Sequence, residues 1–162
     1  MCFTVLQTKL HKLNPRPAYS ITLMSAYKIN SVDDIRWIAF PTFRDERGVL
    51  TPIESGKDIP FQINRIFYIY QTTENRGGHA HRETEQVAIS VAGAFVFRMS
   101  DPQTTRSFRL DDPSKGLYLP PMVFLDEIIP DAPGSVCIVM ASTHYDDEQY
   151  IRSFSDYLAE TR

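Results

Sequence analysis

The sequence predicts an all-β fold, a double-sheet jelly roll or barrel with one short C-terminal helix. Three observations carry this expectation. Short runs rich in Val, Ile, Phe and Tyr recur from about Ile35 onward, and clusters of Gly, Pro, Asp and Asn separate them. The stretch from Gln86 to Val91 alternates, with Val87, Ile89 and Val91 on one side and Gln86, Ala88 and Ser90 on the other. Helical spacing is found only in the tail, where Tyr150, Ile151, Phe154, Tyr157 and Leu158 share a stripe. Many short strands at regular intervals favour sheets packed face to face.

Residues 1–24 carry Pro15 and Pro17 ahead of a second methionine, Met24, and are expected to form a loosely ordered extension. Residues 25–162 are expected to form a single domain, which a chain of 162 residues suits. Within it, strands are expected over 35–42, 48–54, 63–71, 78–81, 86–90, 94–100, 106–110, 116–119, 122–126 and 135–142. Turn chemistry falls between them at Asp45-Glu46-Arg47-Gly48, Asp101-Pro102, Asp111-Asp112-Pro113 and Pro130-Asp131-Ala132-Pro133-Gly134. The helix is expected over 148–158, with the acidic run Asp146-Asp147-Glu148 at its positive end.

Composition narrows the function classes. A formal net charge of −3 with scattered basic residues gives no reason to expect a nucleic acid or an anionic membrane as partner. No apolar run is long enough to span a bilayer, and Lys9, His11 and Lys12 interrupt the apolar residues of the N-terminus early. Cys2 and Cys137 match no zinc or redox spacing, so a reducing, cytoplasmic setting is the natural expectation.

The most informative segment is Arg76-Gly77-Gly78-His79-Ala80-His81, followed by Glu85 and Gln86. Histidines at i and i+2 on a strand share a face, which sets two near-neutral titrating groups side by side. Such a pair can satisfy buried carbonyls, ligate a metal with a carboxylate such as Glu85, or move protons. Proton transfer fits enolisation beside a carbonyl: one imidazole takes the α-proton and the other serves the oxygens. Glu85 faces inward with His81 by strand parity unless a turn near 82–84 breaks it. His144 reads as structural. Arg47, Arg65 and Arg76 precede or line strands at the expected mouth and suit a diphosphate, although exposed arginines are common. Tyr68 and Tyr70 share a face opposite Phe67 and Ile69 and could stack on a base or a sugar.

The histidine segment resembles the first motif of the cupin family of small β-barrels. His79, His81 and Glu85 match its ligand core, Gly93 closes it one residue late, and Thr73 stands where a glycine belongs. The second motif is degraded. From Gly116 through Pro120 it places Met122 at its second glycine and Leu125 at its histidine, so the fourth ligand is missing.

A narrower resemblance covers about residues 38–157. Arg47-Gly48, Lys57-Asp58-Ile59-Pro60-Phe61, Arg65-Ile66-Phe67-Tyr68-Ile69, Arg76 through His81, Glu85-Gln86, Gly116-Leu117-Tyr118-Leu119 and Tyr145 through Arg152 are together similar to the WxcM-like sugar 3,4-ketoisomerases. The resemblance implies a cupin-type jelly roll, a homodimer with exchanged strands, and conversion of dTDP-4-keto-6-deoxyglucose to its 3-keto isomer through an enediol. It implies no metal and no organic cofactor. It also implies that His79 takes the C3 proton and that His81 serves the oxygens. Arg47, Arg65, Tyr68, Arg76, Glu85, Gln86 and Leu125 are the expected substrate-binding residues. The family carries a polar residue, often His or Arg, at the position of Leu125, near the sugar. The configuration produced at C4 is therefore left open. A metal-dependent cupin enzyme and a non-catalytic nucleotide-sugar-binding cupin are the competing readings.

Overall fold

In the computed structural model, residues 27–162 are described, and the extension expected over 1–24 lies outside them. Twelve strands form: β1 (Arg36–Ala39), β2 (Phe43–Asp45), β3 (Gly48–Leu50), β4 (Arg65–Ile69), β5 (Arg76–His81), β6 (Gln86–Ala92), β7 (Phe95–Ser100), β8 (Thr105–Leu110), β9 (Lys115–Leu119), β10 (Phe124–Pro130), β11 (Val136–Ala141) and β12 (Tyr150–Ile151). One helix follows, α1 (Phe154–Glu160). Two five-stranded antiparallel sheets result, ordered β1-β9-β6-β11-β4 and β12-β5-β10-β7-β8, and β2 and β3 make a separate hairpin. This is the all-β jelly-roll architecture the sequence predicts.

Strand parity decides what lies between the sheets. Inward side chains include Ile69, Ala88, Leu117, Cys137 and Val139 from the first sheet and Phe97, Met99, Leu110, Leu125 and Ile128 from the second. Their alternates face outward and are covered separately. Val87, Ile89, Tyr118 and Met140 pack under Ile59 and Phe61 from the segment after the hairpin. Ala80, Met122, Phe124 and Ile151 pack with Tyr157 of α1. The alternation read at residues 86–91 is thus a strand buried on both faces, with apolar cover on the side away from the sandwich.

Three expected elements are displaced, each for a physical reason. The tail begins as a 3₁₀ turn at Asp147–Gln149, then pairs as β12 with β5, and becomes helical only after Ser153 caps it. Tyr150 and Ile151 match a helical stripe in sequence, but pairing with His81 and Ala80 claims their backbone first. The strand expected at 122–126 starts later, because Met122 sits at φ 54 in a turn and gives its N–H to the His81 carbonyl. The strand expected at 48–54 stops at Leu50, and the chain beyond it leaves the ladder to cover the first sheet.

One glycine is required for close approach. Gly77 has φ 131, and a Cβ there would lie 2.5 Å from the Asp126 carbonyl oxygen, at the bulge between Leu125 and Glu127 of β10. Gly77→Ala is therefore expected to lose roughly 2–4 kcal/mol in urea unfolding, from backbone strain plus the clash. A loss below about 0.5 kcal/mol would show that this contact does not constrain β5.

Candidate active site

A cleft of about 710 Å³ opens between the sheets on the side of the edge strand β4. Its inner wall is apolar, from Phe67, Ile69, Phe97, Leu125, Ile128 and Val139. Polar groups enter from β5 and from the tail: Arg76, His79, His81, Tyr150 and Arg152, with Gln86 from β6 and Asn75 ahead of β5.

The two histidines stand on the inward face of β5, as their spacing predicts, while Ala80 between them is buried on the other side. Their ring centroids are 5.0 Å apart and the rings are nearly perpendicular, at 88°. Tyr150, paired with His81 across β12 and β5, lies 4.4 Å from the His81 ring and 5.2 Å from the His79 ring. Arg82 holds this strap in place. Its guanidinium forms a 2.6 Å ion pair with Glu160 of α1 and donates to the carbonyls of Glu148 and Tyr150. Leu125 is the strand neighbour of His79 and puts an apolar wall beside it.

Hydrogen bonds assign the ring protons. His79 Nδ1 lies 3.3 Å from the Gly77 carbonyl oxygen, an acceptor, so Nδ1 carries the proton and Nε2 keeps its lone pair. His81 Nε2 lies 3.1 Å from the carboxamide nitrogen of Gln86. Burial pulls both imidazoles below the usual histidine range, and that of His81 falls to about 3. The positive charges around them act in the same direction: Arg152 on both rings, Arg65 on His81. Both rings are therefore neutral at pH 7, the form in which an imidazole accepts a proton.

The other sequence-derived residues divide into those at the cleft and those away from it. Arg76 is at the rim. Arg65 lies between the rings of Phe67 and Tyr145, 5.5 Å from each, close enough to act on His81. Gln86 is buried beside His81. Tyr68 borders the cleft but is 62% exposed on the outer side of β4, with its ring 5.4 Å from that of Tyr70. Arg47 is paired with Asp45 at the tip of the β2–β3 hairpin and does not line the cleft of its own chain. Glu85 is turned the other way: its carboxylate accepts a 2.5 Å hydrogen bond from the Tyr118 hydroxyl, within the outward-facing layer of the first sheet. The turn after His81 breaks the parity, because Thr84 bonds to Thr143 and the Glu85 N–H to Ser142. His144 is exposed.

These placements do not suit a resident cation. Glu85, the carboxylate of the cupin ligand core, faces away from the imidazoles, and Leu125 occupies the missing-histidine position. Among the described residues, no three His, Cys, Asp or Glu side chains converge. Sequence reasoning missed Tyr150 and Arg152. Their i, i+2 spacing repeats that of the histidine pair and could have marked a strand, but the helical stripe through Tyr150 and Ile151 masked it.

Residues 33–162 match the family described as FdtA: WxcM-like, C-terminal. Over 122 residues the chain is 38% identical to a TDP-4-oxo-6-deoxy-alpha-D-glucose-3,4-oxoisomerase of Aneurinibacillus thermoaerophilus, covering 74% of this chain and 87% of that one. The crystal structure of QdtA, a sugar 3,4-ketoisomerase from Thermoanaerobacterium thermosaccharolyticum in complex with TDP, superposes with a TM-score of 0.77 at 37% identity, covering 80% of this chain and 95% of that one. A variant of QdtA in complex with TDP-4-keto-6-deoxyglucose gives 0.76 at 38% identity, with coverage of 78% and 92%.

Burial of a neutral histidine ties stability to pH. Above 6.5 His81 is neutral whether the chain is folded or not; below it the unfolded chain takes up a proton that the fold refuses until about 3. Stability is therefore lost as pH falls, at about 1.4 kcal/mol per pH unit from this residue. Urea unfolding at pH 6.5 and pH 5 is expected to show wild type losing roughly 2 kcal/mol more than His81→Gln. Equal losses would mean that His81 is charged in the folded protein.

Proposed function

The chain belongs to the FdtA family (WxcM-like, C-terminal), and on that premise we propose that it is a nucleotide-sugar 3,4-ketoisomerase acting on TDP-4-keto-6-deoxyglucose. The observation that carries this reading is the pair of neutral imidazoles, 5.0 Å apart, in a cleft whose charged groups are arginines.

The chemistry follows from the substrate. The hydrogen on C3 is acidified by the neighbouring C4 ketone. His79 Nε2 takes it as a proton, the C3–H electron pair forms the C3=C4 bond, and the C4 carbonyl oxygen becomes an oxyanion. His81 serves that oxygen and O3, so that one proton is gained on O4 and one is lost from O3. His79 then returns its proton to C4, the O3 lone pair forms the C3 carbonyl, and the ketone has moved by one carbon. No electron leaves the sugar, so the sequence of steps needs no external oxidant or reductant. Arg76 and Arg152 at the mouth are the residues placed to hold the diphosphate, with Arg65 deeper. Their grip on a remote group positions C3 beside His79. Leu125 offers the sugar an apolar surface next to the base.

The enzyme is proposed to work as a homodimer. Phe43, Val49 and Leu50 on the hairpin, Ile66 and Tyr68 on the outer face of β4, and Tyr70 just past its end are large, apolar and mostly exposed. A second copy would cover such surfaces, and the hairpin is the element placed to exchange, which would carry Arg47 to the neighbouring cleft. Light scattering is expected to report a dimer that Ile66→Asp with Tyr68→Asp converts to monomer; a wild-type monomer would end this part of the reading. Cys137, buried with its thiol pushed up to about 12, is an inert thiol of the kind a reducing cytoplasm preserves, and a cytoplasmic setting is proposed.

Proton NMR of TDP-4-keto-6-deoxyglucose incubated with the protein is expected to show a 3-keto product. His79→Asn should lower kcat on the order of 100- to 10,000-fold with the fold retained. A 4-keto sugar left unchanged by wild type would overturn the assignment.

A further inference from the structure

Gln86 does more in this cleft than border a ligand. The turn after His81 sets it on the inward face of β6, where it is 6% exposed, and its carboxamide nitrogen lies 3.1 Å from His81 Nε2. With the carboxamide in this orientation its nitrogen only donates, and His81 Nε2 is then the acceptor and bare. The proton of the neutral ring then sits on Nδ1. That atom is buried and has no hydrogen-bond partner among the described residues. His79 is arranged the other way: its Nδ1 proton is committed to Gly77, and its Nε2 is free.

We propose that Gln86 is a positioning residue for the isomerisation: by donating to His81 Nε2 it fixes this imidazole as a neutral Nδ1–H donor, leaving His79 as the only base. The proposal rests on the ketoisomerase reading for its consequences but not for its first test. A buried N–H without an acceptor is unfavourable, and a sugar oxygen supplies one when the ring turns Nδ1 toward the cleft. The Nδ1 proton passes to O4 as the C3 proton leaves for His79. The O3 proton replaces it on Nδ1 as His79 protonates C4, so both rings end as they began. The surroundings support a neutral ring. The groups that act on His81 are His79 on its own strand, Tyr150 on β12, Arg65 on β4 and Arg152 after β12, and none of them is a carboxylate. An imidazolium would find no counter-charge among them.

The conservative probe is Gln86→Glu, which keeps the shape and converts the donor to an acceptor. In ¹⁵N-labelled, substrate-free protein, wild-type His81 is expected to show a protonated Nδ1 and a bare Nε2, unchanged from about pH 8 to pH 5. Gln86→Glu should move the proton to Nε2 and let the ring titrate. With the sugar substrate, Gln86→Glu and Gln86→Leu should each lower kcat on the order of 100-fold with KM changed less than about threefold. A wild-type His81 protonated on Nε2, or a tautomer indifferent to Gln86→Glu, overturns the proposal. So does a loss confined to KM, which would make Gln86 a binding residue. Absence of isomerase activity in wild type would instead defeat the functional reading and leave the NMR result standing.

Discussion

The site depends on keeping two imidazoles uncharged where burial and the nearest arginines both disfavour a proton. Burial lowers the proton affinity of both rings, and Arg65 and Arg152 lower it further at His81. An arrangement with a carboxylate behind the histidine, as in a hydrolase triad, would stabilise imidazolium instead. Asp147 already pairs with Arg152, and among the described residues no carboxylate acts on either imidazole. In the proposed complex a nucleoside diphosphate would bring negative charge to the mouth of the cleft, where Arg76 and Arg152 stand. Burial first, and then Arg152, hold the His79 imidazole neutral.

Much of the remaining architecture serves that wall. The close approach of Gly77 to the Asp126 carbonyl draws β5 against the bulge of β10, which sets the height of His79. Arg82, the next residue after His81, ties the returning tail to α1 and lays Tyr150 over both rings. The turn that follows reverses strand parity, so that Gln86 rather than Glu85 reaches His81. A carboxylate in that position would favour the charged ring; the amide donates to it and favours the neutral one.

The sequence made the histidine pair legible because period-2 alternation needs only two residues to state a face, and His79 and His81 lie within one strand. The jelly roll was legible for a related reason: turn residues punctuate apolar runs throughout the chain. Glu85 was not legible, since a three-residue turn stands between it and His81 and parity cannot be counted through a turn. Tyr150 and Arg152 were hidden because a two-residue strand followed by a helix presents the same apolar spacing as one longer helix. What resolves that ambiguity is a partner strand about seventy residues earlier in the chain, a long-range pairing that no local pattern encodes. Arg47 illustrates a further limit. Its turn is readable, but a hairpin that pairs only with itself has its place fixed by what covers it.

The central claim is that neutral side chains of this protein, unaided, carry a proton between adjacent carbons of a keto sugar. It is tested most directly by running the reaction in D₂O with protein stripped by a chelator and reading the product by NMR. The account predicts the same rate as for unstripped protein, with the C4 hydrogen of the 3-keto product coming from C3, or from solvent where His79 exchanges first, and no deuterium on C5. Activity that vanishes on stripping and returns with a divalent cation, or deuterium on C5 of the product, would contradict it.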